Sequence, residues 1–146
     1  MALSAAKKRY QRDLGVKRLG SGTGADSQTV YGGAIVCHNG AGKIAVGADT
    51  SGFYAAGVAS KDQSTGSSNT DAINYEWGQV EWFAMNGTDL VAADVGKNAT
   101  VKDDGVLTDA STASNGVVLG SIVELETLDG VSGAWVAVGI FALATA

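Results

Sequence analysis

Short apolar runs, broken every few residues by glycine, asparagine or aspartate, limit what this chain can fold into more than any other feature of it. From residue 29 onward no helical apolar pattern longer than about ten residues interrupts them. The plainest run is 72–85. In it Gln79 and Glu81 are polar while Val80 and Trp82 point the other way, which describes a strand with one wet and one buried face. Asn86-Gly87 follows, a pair that accepts positive φ and reads as a hairpin turn. This strand is expected to be the spine on which the others pair.

The rest of the body divides in the same way. Residues 30–37 and 43–46 flank a turn at 39–42 and form a hairpin, and 53–60 supplies a third strand in which Gly57 is placed for a bend or bulge. Residues 61–70 read as the longest exposed loop. Residues 98–102 and 106–108 flank Asp103-Asp104-Gly105. The longest strand, 116–128, turns at Asp129-Gly130 and returns as 134–140. About eight short strands in a meander must cover or close their edges. The expected fold is therefore all-β: a small antiparallel β-barrel or barrel-like sandwich.

At 146 residues there is one core, with a proposed division into an arm and linker, 1–27, and a β-barrel domain, 28–146. Residues 1–14 place Leu3, Ala6, Tyr10 and Leu14 near one helical stripe, so the extended N-terminal arm is expected to contain a short helix that is ordered only when docked. Residues 15–27, with four glycines, read as a flexible connector. The Gly20-Ser-Gly-Thr-Gly-Ala run lacks the flanking strand and helix of a dinucleotide fingerprint. Charge is unevenly spread. Lys7, Lys8, Arg9, Arg12, Lys17 and Arg18 against Asp13 make the first eighteen residues about +5, while four lysines against fourteen acids make the remainder about −10. Such a leader would steer toward an acidic surface. The acidic body repels phosphate, which argues against nucleic acid. No apolar run is long enough for a membrane helix, and the start lacks a signal-peptide core.

The residues offer little chemistry. His38 is the single histidine, and Cys37, the single cysteine, is its strand neighbour on the opposite face, so the two cannot form a thiolate–imidazole pair. Cys37 reads as a small buried apolar residue. One Cys and one His do not make a zinc site, and Asp89, Asp94, Asp103 and Asp104 lack calcium-loop spacing and read as turn caps. Glu124 and Glu126 share a strand face roughly 7 Å apart, compatible with a glycosidase pair but also with ordinary edge protection. No catalytic residue, cofactor, metal or small-molecule substrate is assigned. What remains is surface: Trp77, Trp135 and Phe141, with Tyr54, are large for so small a body. The first three are candidates for an oligomer or partner interface, or for plugs at the barrel ends.

The order of segments resembles a known family. Gly32-Gly33-Ala34-Ile35-Val36, then Ile44-Ala45-Val46-Gly47-Ala48-Asp49-Thr50 and Ala56-Gly57-Val58-Ala59, is similar to the opening of the small β-barrel capsid decoration (cement) proteins of tailed bacteriophages. Gly78-Gln79-Val80-Glu81-Trp82-Phe83, the stretch from Thr88-Asp89 to Asp94-Val95-Gly96-Lys97, Val118-Leu119-Gly120-Ser121-Ile122-Val123 and Ala134-Trp135-Val136 continue the likeness. The resemblance implies a non-enzymatic virion protein, made in the host cytoplasm. It would bind the outer surface of the phage head as a homotrimer and clamp neighbouring major capsid subunits. Leu3, Tyr10 and Leu14 would then anchor the arm, and Lys7, Lys8, Arg9 and Arg12 would meet acidic capsid patches. The alternatives are a head fibre-base domain, or a receptor- or carbohydrate-binding β domain that uses exposed tryptophans.

Overall fold

The computed structural model describes residues 2–7, 11–13, 18–78, 81–87 and 89–139; for 11–13 and 81–86 it is the backbone alone that is described. In chain order the strands are β1 Gln11–Asp13, β2 Arg18–Thr23, β3 Thr29–Val30, β4 Ile35–His38, β5 Ile44–Val46, β6 Tyr54–Ala59 and β7 Gln63–Ser64. They continue as β8 Ala72–Trp77, β9 Glu81–Gly87, β10 Asn98–Val101, β11 Val106–Thr108, β12 Val118–Leu128 and β13 Val131–Val138. The one helical turn among the described residues is Ala92–Asp94, so the fold is all-β.

Two main sheets carry the core. One runs β2-β8-β6-β4-β5 and the other β1-β9-β11-β10-β12-β13. The second curls until β9 also pairs with β13. Its contact with β11 is limited to Asn86 and Gly87, the one parallel pairing in that sheet. The arrangement is a curled sandwich, and the sheets do not close into a continuous barrel.

The first core lies between the sheets. Ile35, Cys37 and Val58 from the five-stranded sheet meet Ala99, Val101, Leu107, Leu119, Ile122, Val136 and Val138 from the other. The opposite face of the five-stranded sheet is buried as well, where Val36, Ile44, Ala59, Ile73 and Tyr75 form a second core with Val30 and Ala34. Strand β4 therefore alternates between two cores, Ile35 and Cys37 to one and Val36 to the other. A strand buried on both faces reads as an unbroken apolar run, which is what residues 34–37 are.

The expected spine is two strands. Residues 72–77 belong to the five-stranded sheet and 81–87 to the other, so the chain changes sheets just after Trp77, at the buried Gly78. Asn86-Gly87 is not a turn: both residues lie in β9, with Asn86 opposite Gly133 of β13 and Val106 of β11.

The leader differs from its expectation in two ways. Its described residues contain no helix, because Gln11–Asp13 pairs along β9, with Gln11 opposite Phe83 and Asp13 opposite Glu81. Arg18–Thr23 is likewise no flexible connector. It is paired with β8 along its whole length, from Arg18 opposite Trp77 to Thr23 opposite Ala72. Ahead of them, Leu3 N–H donates to Asp104 Oδ1 at 2.8 Å and Lys7 N–H to Gly32 O at 2.8 Å, while the Leu3 side chain packs on the second core.

Three glycines, two in β2 and one just after it, explain why a linker-like sequence makes a strand. Gly20, Gly22 and Gly24 recur every second residue on the inward face. A Cβ on Gly20 would come within 2.3 Å of the Tyr75 ring, on Gly22 within 2.9 Å of Ile44, and on Gly24 within 2.8 Å of Ile73. Their bare backbone is the surface against which three core side chains pack. The 61–70 loop is pinned over this strand's end: Thr65 Oγ1 donates to Ala25 O and the buried Asn69 donates to Gly24 O at 2.8 Å.

The hairpins with local turn signals form as expected. Strands β4 and β5 pair, as do β10 with β11 and β12 with β13, the last about Asp129 and Gly130 with φ of 51° and 77°. Strand β12 is bulged between Ile122 and Glu124. The extra residue, Val123, faces out, and Leu119, Ile122 and Leu125 all reach the first core.

Gly22→Val tests the glycine face: it should overpack the second core and cost about 1–3 kcal/mol in urea unfolding. Ser21→Val, on the outward side of the same strand, should stay within about 0.5 kcal/mol of wild type.

Candidate functional site

Cys37 and His38 close strand β4 on opposite faces. The Cys37 thiol is fully buried in the first core, and burial pushes its pKa up to about 11, against a smaller lowering by the hydrogen bond from the Ala48 backbone. Such a thiol is not a nucleophile near neutral pH. His38 is exposed, with its ring edge-on to Tyr75 at 6.4 Å.

The carboxylates serve the backbone. Asp103 Oδ1 accepts from Gly105 N–H in the β10–β11 turn, and the buried Asp104 holds the leader through Leu3. Asp94 accepts from Val91 N–H at the helical turn and lies 3.7 Å from Lys97 Nζ. Asp89 Oδ2 accepts from the hydroxyls of Thr108 and Thr112. Asp109 sits in a turn where the Ser111 side chain, then backbone N–H groups, hold its carboxyl below the ordinary value. Glu126 takes the Trp135 indole N–H at 2.5 Å, which ties one of the two β12 glutamates to a structural partner. Among the described residues no group of three or more His, Cys, Asp or Glu is placed to hold a metal ion.

The aromatic candidates move inward. Trp135 is only 5 % exposed, so within one chain it is a core residue with a satisfied indole and does not present a surface. Trp77 is half-buried where the chain changes sheets. It packs on both cores, and the Arg18 guanidinium lies 5.5 Å from its ring centre. Phe141, Lys8, Arg9, Tyr10 and Leu14 lie outside the described residues, as do the side chain of Arg12 and the tail beyond 139. Leu3 and Lys7 are described and are part of the leader's attachment to its own body.

The most exposed aromatic among the described residues is Tyr54, noted from sequence for its size but not placed among the interface candidates. It lies at the start of β6 and is 70 % exposed. It borders a groove of about 400 Å³ that Phe53, Asn98, Asn115 and Val117 also line. The groove's outer wall is fixed by Asp49, whose carboxylate accepts from Ser114 N–H at 2.7 Å and Asn115 N–H at 2.8 Å, while Asn115 Nδ2 donates to Asp49 O at 2.8 Å. The chain's other prominent surface is the basic leader. Its strands lie against β9 and β8, and Arg18 and Leu19 are exposed. No protein-family model matches the chain, and a search of curated proteins finds no match.

The raised thiol pKa has a consequence for stability. A buried group that stays protonated to about pH 11, against 9.0 unperturbed, stabilises the fold fully below pH 9. That contribution is lost as pH rises from the unfolded value through the folded one, because the unfolded state releases its proton first. Unfolding free energy should therefore fall by about 2–3 kcal/mol more between pH 8 and 11 in the wild type than in Cys37→Ala, read by urea titration at each pH.

Proposed function

We propose that this chain is a non-enzymatic structural protein that docks on the outer surface of a tailed-phage head and bridges neighbouring major capsid subunits, with copies acting as a trimer. The observation that carries the reading is the leader. Six basic residues fall in the first eighteen, and the described backbone of that segment is hydrogen-bonded to the body at Asp104, Gly32, β9 and β8. The body behind it carries four lysines against fourteen acids. A basic leader on an acidic body complements an acidic partner surface, a charge pattern suited to orienting a protein on a shell.

The remaining support is consistent with a clamp. The thiol is locked in the core, the carboxylates with recorded partners hold turns and the leader, and the fold is built from long-range strand pairings. The order and spacing of the segments resemble the phage decoration proteins, and they supply the partner in the proposal: the major capsid protein.

Binding to expanded, DNA-free tailed-phage shells tests it, with bound copies counted after sedimentation and free mass measured by light scattering. The expected result is a free trimer and saturable binding at a fixed number of copies per shell. Binding should weaken at least about tenfold in the triple variant Lys7→Glu, Lys8→Glu, Arg9→Glu and should fall with added salt. No saturable binding, or binding indifferent to both charge reversal and salt, would remove the proposal.

A further inference from the structure

The groove beside Tyr54 has the size and chemistry of a small-ligand site. Its volume of about 400 Å³ lies within the range typical of such sites, roughly 300–1,000 Å³. No residue lining it carries a charge. Asp49, which holds its outer wall, has both carboxylate oxygens occupied by backbone N–H groups of the 114–115 segment. A charged ligand would lose its hydration there with nothing to replace it. A neutral one would not.

Apolar and polar elements meet in this groove. Tyr54 offers an exposed ring face, with Phe53, Ala55 and Val117 beside it. Strand β6 pairs with β8 only at Val58 and Ala59, so on that side Tyr54 and Ala55 have no strand partner among the described residues. Asn115 adds an exposed amide held in one plane by its bond to Asp49. The walls are preformed: Phe53 N–H is bonded to Thr50 O, and the Asp49 contacts hold the opposite side. A ligand suited to this combination is uncharged, has one flat apolar face and carries hydroxyls around its edge.

We propose that the groove binds a neutral pyranose sugar, with Tyr54 stacking on the ring and with Asn115 and the β6 backbone at Tyr54 and Ala55 meeting its hydroxyls. The site is separate from the basic leader, so it stands whether or not the chain docks on a capsid. It also places the ligand on Tyr54, where the tryptophans named from sequence are committed to the fold.

The test is a titration of the full ¹⁵N-labelled chain with methyl β-glucopyranoside, methyl β-galactopyranoside and N-acetylglucosamine, followed by amide shifts, with glucose 6-phosphate and inorganic phosphate as anionic probes. At least one neutral sugar should give saturable shifts centred on 52–55 and 115–118. Tyr54→Ala should weaken that binding about tenfold or more while leaving the thermal midpoint unchanged, because the ring is exposed. The phosphates should give no saturable shift in these segments. Absence of saturable shifts with all three sugars, shifts centred elsewhere, unchanged affinity in Tyr54→Ala, or tighter binding of an anionic probe would each overturn the assignment.

Discussion

A chain that leaves one sheet and enters another needs a partner for its backbone on each side of the change, and here the leader supplies one in both sheets. Strands β8 and β9 follow one another across the change of sheets, and β2 and β1 run beside them in the opposite direction. Arg18 lies opposite Trp77 on one side of the crossing and Asp13 opposite Glu81 on the other, so the same two segments are partners on both sides of it. The result is one antiparallel ribbon shared between two sheets. Trp77 sits where the ribbon crosses and packs on both cores, with Arg18 over its ring and the Gly139 backbone close enough that a Cβ there would approach within 3.2 Å. The sheets are thus joined by hydrogen-bonded backbone as well as by packing.

The five-stranded sheet has core on both faces, and that demand decides the composition of its neighbours. Large side chains on every strand would overfill a second core this small. Strand β2, with Gly24 just after it, presents bare backbone every second residue, and Tyr75, Ile44 and Ile73 occupy the space. Gly57 of β6 follows the same logic more severely, since a Cβ there would lie 2.3 Å from the Glu76 carbonyl oxygen. These glycines set how closely strands and side chains approach. The entropy they lose on folding is offset by the apolar area their neighbours bury.

What could be read from the sequence follows from how local each signal is. The β4–β5, β10–β11 and β12–β13 hairpins were legible because their turns sit between the paired strands at 39–42, 103–105 and 129–130. The break after Trp77 left one local trace, a shift of the apolar positions from odd (Ile73, Tyr75, Trp77) to even (Val80, Trp82) across Gly78, but the sheet each half joins depends on distant strands. The same holds for Asn86-Gly87, whose turn propensity yields to pairing with Gly133 and Val106. A marginal helical stripe in the leader loses to strand pairing with β9 for that reason too. Strand β2 did carry a readable sign, glycine at period two, but its composition matches that of a flexible linker. At the candidate sites, adjacency alone placed Cys37 and His38 on opposite faces. Trp135 is buried on a strand that the curl of the sheet brings against β9, a long-range pairing that strand periodicity does not encode.

The attachment of the leader changes the energetics of any docking it performs. A segment that folds only on binding gives up conformational entropy at that moment, which lowers its affinity for a given contact area. Here the backbone at Leu3, Lys7, 11–13 and 18–23 is already bonded to the body, so that ordering is completed during folding and does not weigh on association. In such docking the described basic side chains, Lys7 and Arg18, would act from a backbone already held. Their main effect is on encounter rate and orientation, which decline as salt screens charges beyond about 10 Å. Lasting attachment in such docking would have to come from apolar contacts. Leu19, 77 % exposed on β2 beside Arg18, is the described side chain best placed to begin such a contact.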